Sequence, residues 1–175
     1  MEIRNVEAVD EPAVERFVSR IPEGDRTFFK EDVTDPDIVG FWARRGGITS
    51  VAVEDGEVVG YGAVIPLQGW SSHVGEIRVI VDPGHRRHGV GRALARRVVL
   101  SALELGLTKM VVEVMADQEP TIAMFRSLGF DPEALLEDHV RDQAGELHDL
   151  MILAHSVEES WASVVSTGIV DGLSA

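Results

Sequence analysis

The amino-acid sequence predicts an α/β (α+β) protein built on one mixed, mostly antiparallel sheet of about seven strands, with helices on both faces. The predicted order is strand, two helices, three strands, helix, strand, helix and two strands. Residues 73–81, the helix after them and residues 109–115 form a right-handed crossover between two parallel strands. Hairpins on either side require antiparallel neighbours, so a doubly wound parallel sheet is excluded.

The N-terminal third predicts one strand and two helices. Residues 2–6 read as the first strand, and Asp10 with Pro12 starts a helix over residues 11–20, because an acidic cap and an early proline both suit a first turn. A turn-rich loop follows at residues 21–26. Asp35-Pro36 repeats the starting signal before a second helix that carries an apolar stripe.

The remaining elements follow from turns and periodicity. Asp55-Gly56 is a hairpin signal between two strands, and apolar residues at helical spacing run from Val90 to a stop at Gly106. Residues 109–115 are apolar on both faces, which predicts a central strand. The segment "PTIAMFRSLGF" predicts a short helix, and the polar "RDQAGEL" separates a final antiparallel pair of strands.

Length and composition indicate one domain. The chain has 175 residues, of which 45% are apolar, and no cysteine, so disulfides and thiolate metal sites are excluded. No apolar run approaches a membrane span, and the N-terminus lacks a signal peptide, so we expect a cytoplasmic protein without membrane contact. We expect the domain to cover residues 1–155. Residues 156–175 then form an extension with a short helix, whose Trp161 is a candidate homodimer contact.

The charge is unevenly distributed. The chain has a net charge of -14, but residues 76–115 carry four acids and seven bases, a local charge of +3. An acidic surface repels nucleic acid, so we expect no nucleic-acid partner. The basic segment suits a small polyanion instead.

A glycine-rich basic turn lies inside that segment, in "PGHRRHGVGRALAR" at residues 83–96. It lacks the Gly-Lys-Ser/Thr end of a P-loop, and Leu94 stands where a dinucleotide fingerprint needs glycine or alanine. What remains is a strand, a turn with free amides and a helix N-terminus, an arrangement that binds anions.

The sequence "VIVDPGHRRHGVGRAL", with "MFRSLGF" downstream, resembles the GNAT superfamily of acyl-CoA-dependent N-acetyltransferases. The resemblance covers residues 50–155 well and the N-terminal third by element order. It implies a central parallel pair of strands that splays around the pantetheine arm of acetyl-CoA. It also implies transfer of the acetyl group to a primary amine, of a small molecule or a peptide, by direct attack.

The resemblance implies a set of cofactor contacts. The backbone of residues 79–81 would bind the pantetheine arm and acetyl carbonyl, and the amides of residues 87–92 would hold the pyrophosphate. The expected cofactor-binding residues are Val79, Ile80, Val81, Arg86, Arg87, His88, Gly89, Val90, Gly91, Arg92, Gln118 and Phe125.

Two carboxylates are candidates for the base that deprotonates the amine. Glu113 shares a strand face with Val111 and Met115 inside an apolar run, and burial would raise the pKa of such a carboxyl. The alternative is an ion pair between Glu113 and an arginine at the rim of the sheet. Glu76 is the second candidate, although Arg78 two residues on favours a salt bridge.

Two residues depart from the family pattern. Many relatives have asparagine at the position of Gln118, and tyrosine at that of Phe125, where the hydroxyl is thought to protonate the CoA thiolate. Phe125 cannot do so, which leaves Tyr61, a histidine or water as a substitute acid. The departures also support an alternative function, an acyl-CoA-binding regulatory module with reduced or lost catalysis.

The amine acceptor is expected between the loop at residues 21–29 and the final hairpin. Candidate contacts are Phe28, Phe29, His139 and His148, with both phenylalanines also suited to the core. We expect the two histidines to face each other across the hairpin. No histidine pair has metal-ligand spacing beside a carboxylate, so no metal is expected.

Overall fold

The computed structural model of the chain describes residues 1–142 and 144–157. Within these residues the strands are β1 (Glu2–Asn5), β2 (Ile48–Glu54), β3 (Glu57–Pro66), β4 (Val74–Val81), β5 (Lys109–Met115), β6 (Asp131–Arg141) and β7 (Leu147–Ser156). The α-helices of the same residues are α1 (Glu11–Arg20), α2 (Glu23–Arg26), α3 (Ile38–Arg44), α4 (Val90–Glu104) and α5 (Glu119–Arg126). Short 3-10 turns occupy Ala8–Asp10, Thr27–Phe29, Gly69–Ser71 and Pro83–His85.

All seven strands join one sheet in the order β1-β2-β3-β4-β5-β7-β6. Every neighbouring pair is antiparallel except β4 and β5, which are parallel and connected through α4. The predicted mixed sheet, its single parallel pair and the central position of β5 are therefore confirmed.

Helices cover both faces of the sheet. On one face, α1, the turn at Thr27–Phe29 and α3 enclose a core that includes Phe17, Phe29, Trp42 and Tyr61. On the other face, α4 and α5 pack on residues of β4, β5 and β7 around Met110. Successive residues of a strand contribute to the two cores in turn, because their side chains point to opposite faces of the sheet.

Helix α4 lies close to strand β3 because glycine occupies the contact. A β-carbon added at Gly60 would lie 2.6 Å from Leu94 Cδ1 and 3.1 Å from Val90 Cγ1. Leu94 is fully buried and Val90 nearly so, so neither side chain has room to move away. The absence of a side chain at this position sets the distance of the helix from the sheet.

Two local details differ from the sequence prediction. The loop expected at residues 21–26 contains the single helical turn α2. In the last hairpin, the register shifts between Leu136 and Val140, where Asp138 has a positive φ of 51°.

Strand β7 ends at Ser156, and the helix expected over residues 156–167 lies, apart from its first two positions, outside the described residues. None of the helices among the described residues is long and apolar enough to cross a bilayer.

We predict that Gly60→Ala lowers the free energy of unfolding by about 1–3 kcal/mol, because the added methyl overpacks the contact with α4. Gly24→Ala is the matched control, since a β-carbon there meets no atom within 4 Å and alanine favours the helical turn. Urea denaturation of both variants measures the difference. Equal stability of Gly60→Ala and the parent chain would contradict the close approach.

Candidate functional site

A cleft opens where the parallel strands separate. Strands β4 and β5 pair from Val74 and Lys109 up to Ile77 and Val112, and no pairing continues beyond these residues. Both strands run on, to Val81 and Met115, and enclose a cleft of about 660 Å³ between them. Val79, Ile80 and Val81 line it, and beyond Ile77 no strand pairs with the side of β4 turned away from β3, where the Val81 carbonyl accepts from Arg86. An extended ligand could pair with the backbone at Val79.

The basic turn forms one mouth of this cleft. Helix α4 begins at Val90, and Gly89 before it has a φ of 85°, a left-handed conformation that glycine adopts without a steric penalty. Among the described residues, no acceptor takes a hydrogen bond of ordinary geometry from the amides of residues 87–92. Gly89 and Gly91 both line the cleft, so the amides of the turn and the positive end of the α4 dipole lie at its mouth.

The arginines of the turn have different environments. Arg86 donates to Asp25 Oδ2 at 2.6 Å and to the Val81 carbonyl at 3.2 Å, so the guanidinium bridges the turn and helix α2. Arg92 donates to the Ser127 hydroxyl. Arg86, Arg87 and Arg92, three of the cofactor-binding candidates from the sequence, all line the cleft.

Two predicted contacts of the turn are not among the cleft-lining residues. Val90 is 3% exposed and packs with Leu94 in the core, because the first turn of α4 directs its side chain to the sheet. The side chain of His88 is exposed. The predicted role of these two residues rests on their backbone amides, and it stays a prediction.

Asp82 fixes the start of the turn. Its side chain is nearly buried and accepts from the Gly84 amide at 2.9 Å and from Arg20 Nε at 2.6 Å. Burial acts to raise the pKa of Asp82, but the hydrogen bonds from Arg20 and Gly84 outweigh it and lower the pKa overall. Arg20 also donates to the Val58 carbonyl at 2.7 Å, which ties the turn to α1 and β3.

Glu113 is not the buried, isolated acid that its apolar neighbours suggested. Glu113 is exposed, because it lies just beyond the last residues that pair β4 with β5, and its face of the strand borders the cleft. Its Oε2 atom lies 2.6 Å from Lys30 Nζ. The alternative of an ion pair at the rim was closer, although the partner is a lysine on a loop.

Glu76 lies on the other side of the same lysine. Its Oε1 atom is 2.8 Å from Lys30 Nζ and 2.9 Å from Arg78 Nε, so the expected salt bridge with Arg78 is present. Burial would raise the pKa of Glu76, but the hydrogen bonds from Lys30 and Arg78 lower it overall. Glu76 is therefore a weaker base than an ordinary glutamate.

The ion pairs continue from the cleft into the core. Arg78 and Arg45 both donate to Glu31, whose Oε1 atom also accepts from Trp42 Nε1 at 2.7 Å. Arg45 donates to the Tyr61 hydroxyl at 2.8 Å. The side chains of Arg45, Arg78 and Glu31 are only 9–12% exposed, so this is a buried network.

Tyr61 is at the closed end of that network and is fully buried. Burial raises the pKa of Tyr61 to about 12, despite the neighbouring Arg45. The residue does not line the cleft. It is therefore not positioned to replace the acid that the family pattern places at Phe125.

Gln118 and Phe125 lie at the α5 side of the cleft and both line it. Phe125 is 2% exposed and meets the Phe130 ring edge-on, with 5.3 Å between the ring centroids. Its ring is an apolar wall with no hydroxyl to donate.

The expected acceptor contacts separate into different regions. Phe28 lines the cleft, whereas Phe29 is fully buried against Trp42 and Tyr61. His139 is exposed, and His148 is paired across the hairpin with Val140. The two histidines therefore do not face each other, because the irregular register near Asp138 removes the symmetry that residue counting implied.

His148 has a partner in the hairpin turn instead. Its Nε2 atom is 3.0 Å from Asp142 Oδ2, and this hydrogen bond raises the pKa of His148. In the described part of the chain, no group of three histidine or acidic side chains is arranged to hold a metal ion.

The sequence reasoning missed Lys30 and Asp25, both of which line the cleft. Their partners lie 83 and 61 positions away along the chain, beyond the reach of any local pattern. The composition offered one indication, the rarity of lysine. The chain has only two lysines, Lys30 and Lys109, so each was worth considering as a site residue.

Comparison with known proteins agrees with this geometry. Residues 12–130 match the model of the acetyltransferase (GNAT) family. The uncharacterized N-acetyltransferase YjgM of Escherichia coli is 26% identical over 135 residues, which span 74% of this chain and 81% of that protein.

Solved structures have the same fold. The ribosomal-protein-alanine N-acetyltransferase of Brucella melitensis has a TM-score of 0.80 and 25% identity, covering 90% of this chain and all of that one. The protein yncA of Salmonella typhimurium, solved with its cofactor acetyl-CoA, has a TM-score of 0.75 and 24% identity, covering 90% of this chain and 94% of that one.

We predict that Glu31→Ala lowers the free energy of unfolding by about 3–5 kcal/mol, because it leaves two buried guanidinium groups without their shared carboxylate. Glu133→Ala is the control. Glu133 pairs with Lys109 at 2.6 Å but is 48% exposed, so its loss should cost about 0–1 kcal/mol. Urea denaturation distinguishes the two. Similar small losses in both variants would show that the network contributes little to stability.

Proposed function

The chain belongs to the GNAT family of acetyltransferases, and we propose that it transfers the acetyl group of acetyl-CoA to a primary amine by direct attack. The family match and the N-acetyltransferases among its relatives make it an acyl-CoA N-acyltransferase. The acceptor, a small-molecule or peptide amine, is unidentified. The cytoplasmic location and the homodimer expected from the sequence stay predictions.

One observation carries the proposal. The cleft between the separated ends of β4 and β5 is continuous with the basic turn, whose amides at residues 87–92 have no hydrogen-bond acceptor among the described residues. The diphosphate of acetyl-CoA would bind the amides of residues 87–92, where the α4 dipole favours negative charge. From there the pantetheine arm runs along Val81, Ile80 and Val79 and pairs with the open side of β4. The thioester then lies towards the point where β4 and β5 meet.

Two carboxylates border that point, and Glu113 suits the role of base better than Glu76. Glu76 is held by two cations and has a lowered pKa. Glu113 contacts one cation through one oxygen, and its side chain is 32% exposed. We propose that Glu113 accepts the proton of the acceptor amine, directly or through one water, as the neutral nitrogen attacks the thioester.

The departing thiolate needs no phenol. A thiol pKa of about 8.5 makes the thiolate a tolerable leaving group, so water can supply the proton. Phe125 would then serve as an apolar wall for the pantetheine arm, beside Gln118. The buried position of Tyr61 and its bond to Arg45 make water the simpler donor.

Gln118 and Phe125 differ from the family pattern, and this difference supports a second candidate function, an acyl-CoA-binding regulatory module without turnover. Such a module needs the cleft and the turn but no base. Release of free CoA thiol in the presence of a panel of primary amines separates the two functions, because a regulator binds acetyl-CoA and releases no thiol with any of them.

We predict that Gly91→Asp weakens acetyl-CoA binding at least about tenfold, because a carboxylate near the phosphates is repelled by them. A β-carbon at Gly91 meets Val81 Cγ2 at 3.5 Å and Met124 Sδ at 3.6 Å, which are ordinary contacts, so the fold tolerates the change. Calorimetry at low salt is the measurement, and Gly91→Ala is the control for size. Equal affinity of the aspartate and alanine variants would place the phosphates elsewhere.

We predict that Glu113→Gln lowers kcat by about 10²-fold or more with little change in acetyl-CoA affinity, since glutamine keeps the shape but not the basicity. The thiol-release assay gives kcat, and calorimetry gives the affinity. Glu76→Gln is the comparison and should reduce kcat less. A larger loss in Glu76→Gln than in Glu113→Gln would exchange the roles of the two carboxylates.

A further inference from the structure

Lys30 places an amine of the chain itself between the two carboxylates of the cleft. Its Nζ atom is 2.6 Å from Glu113 Oε2 and 2.8 Å from Glu76 Oε1. Glu76 belongs to the last paired part of β4, and Glu113 is the first residue of β5 beyond the pairing. The amine therefore sits where the parallel strands begin to part, and Lys30 lines the cleft there.

The backbone holds Lys30 firmly in this place. Its φ is 60°, a left-handed conformation that is costly for a lysine and persists only when the surroundings impose it. Phe29 before it is fully buried and its carbonyl accepts from Arg78, while Glu31 after it is bound by Arg45, Arg78 and Trp42. Both neighbours are anchored in the core, so the side chain between them is directed into the cleft.

We propose that Lys30 is a self-acetylation site, at which the chain modifies its own amine with acetyl-CoA. The proposal rests on the proposed function, because the thioester must lie in the cleft with its reactive end towards the point where the strands meet. An amine fixed at that point is a tethered acceptor, and tethering raises the effective concentration of a nucleophile far above that of a free amine.

The reaction needs only acetyl-CoA. The Lys30 ammonium gives a proton to Glu113, with which it is already hydrogen-bonded, and the neutral nitrogen attacks the thioester carbonyl carbon. A carbon–nitrogen bond forms and the carbon–sulfur bond breaks. The nitrogen gives up its second proton as the sulfur leaves with the bonding electron pair, and the thiolate takes up that proton, so the products are an amide at Lys30, CoA thiol and a protonated Glu113. The amide has no charge, so Glu76 and Glu113 lose their shared cation.

The chain contains its own control for this reaction. Lys109 is the other lysine, its side chain is 34% exposed against 35% for Lys30, and its Nζ atom also lies 2.6 Å from a carboxylate oxygen, that of Glu133. Lys109 does not line the cleft. Acetylation in bulk solution would therefore treat the two lysines alike, whereas acetylation inside the cleft would select Lys30.

The test is incubation of the full chain with acetyl-CoA and no added amine, followed by mass spectrometry of peptides containing each lysine. We expect Lys30 to be acetylated at least about tenfold faster than Lys109, because only Lys30 is tethered at the thioester. The fraction of modified Lys30 should grow at a rate independent of protein concentration, as required for reaction within one molecule. Equal modification of both lysines would overturn the proposal.

Two variants complete the test. Glu113→Gln should slow acetylation at Lys30 by about tenfold or more and leave Lys109 unchanged, because the proton acceptor is lost only in the cleft. Lys30→Arg should remove the selective modification and leave the slow modification of Lys109 unchanged. An unchanged rate at Lys30 in Glu113→Gln would overturn the proposed chemistry.

Calorimetry with acetyl-CoA distinguishes failure of this proposal from failure of the proposed function. If the chain binds acetyl-CoA and acetylates an added amine while Lys30 stays unmodified, the self-acetylation proposal alone is wrong. If acetyl-CoA does not bind at all, the proposed function fails and the proposal fails with it.

Discussion

The separation of β4 and β5 is the constraint on which the rest of the structure depends. Their parallel pairing ends at Ile77 and Val112, so the following backbone of β4 keeps hydrogen bonds to β3 on one side only. Unpaired backbone groups need a partner, and here an extended ligand is the natural one. Helix α4, which connects the two strands, packs on β4 and β5 through the core around Met110.

The ion-pair network from Glu113 to Tyr61 begins with side chains that line the cleft and ends in the core. It carries alternating charges from the exposed Glu113 through Lys30, Glu76, Arg78 and Glu31 to the buried Arg45. Each buried charge has a partner, since an unpaired one would cost several kcal/mol. The network therefore holds both cleft carboxylates in place, and its two cations beside Glu76 lower the pKa of that residue.

The sequence predicted the elements better than the contacts between side chains. The helix at Glu11–Arg20, the hairpin at Asp55-Gly56 and the parallel pair followed from local caps, turns and periodicity. Glu113 was misjudged because an apolar run does not show which strand face borders a gap in the sheet. The position of Lys30 depends on buried neighbours and on partners 46 and 83 positions away in sequence, so no local pattern identifies it.

The arginines of the basic turn are less available to a ligand than the sequence suggested. The charge of Arg86 is paired with Asp25, and Arg92 donates to the neutral hydroxyl of Ser127, so both side chains have partners within the chain. The amides of residues 87–92 have no such partner among the described residues. The left-handed Gly89 and the ordered start of α4 hold these amides in place, and Asp82, fixed by Arg20, anchors the segment to the sheet. In the function that we propose, the backbone amides would therefore contribute to anion binding at this mouth together with the side chain of Arg87, which also lines the cleft.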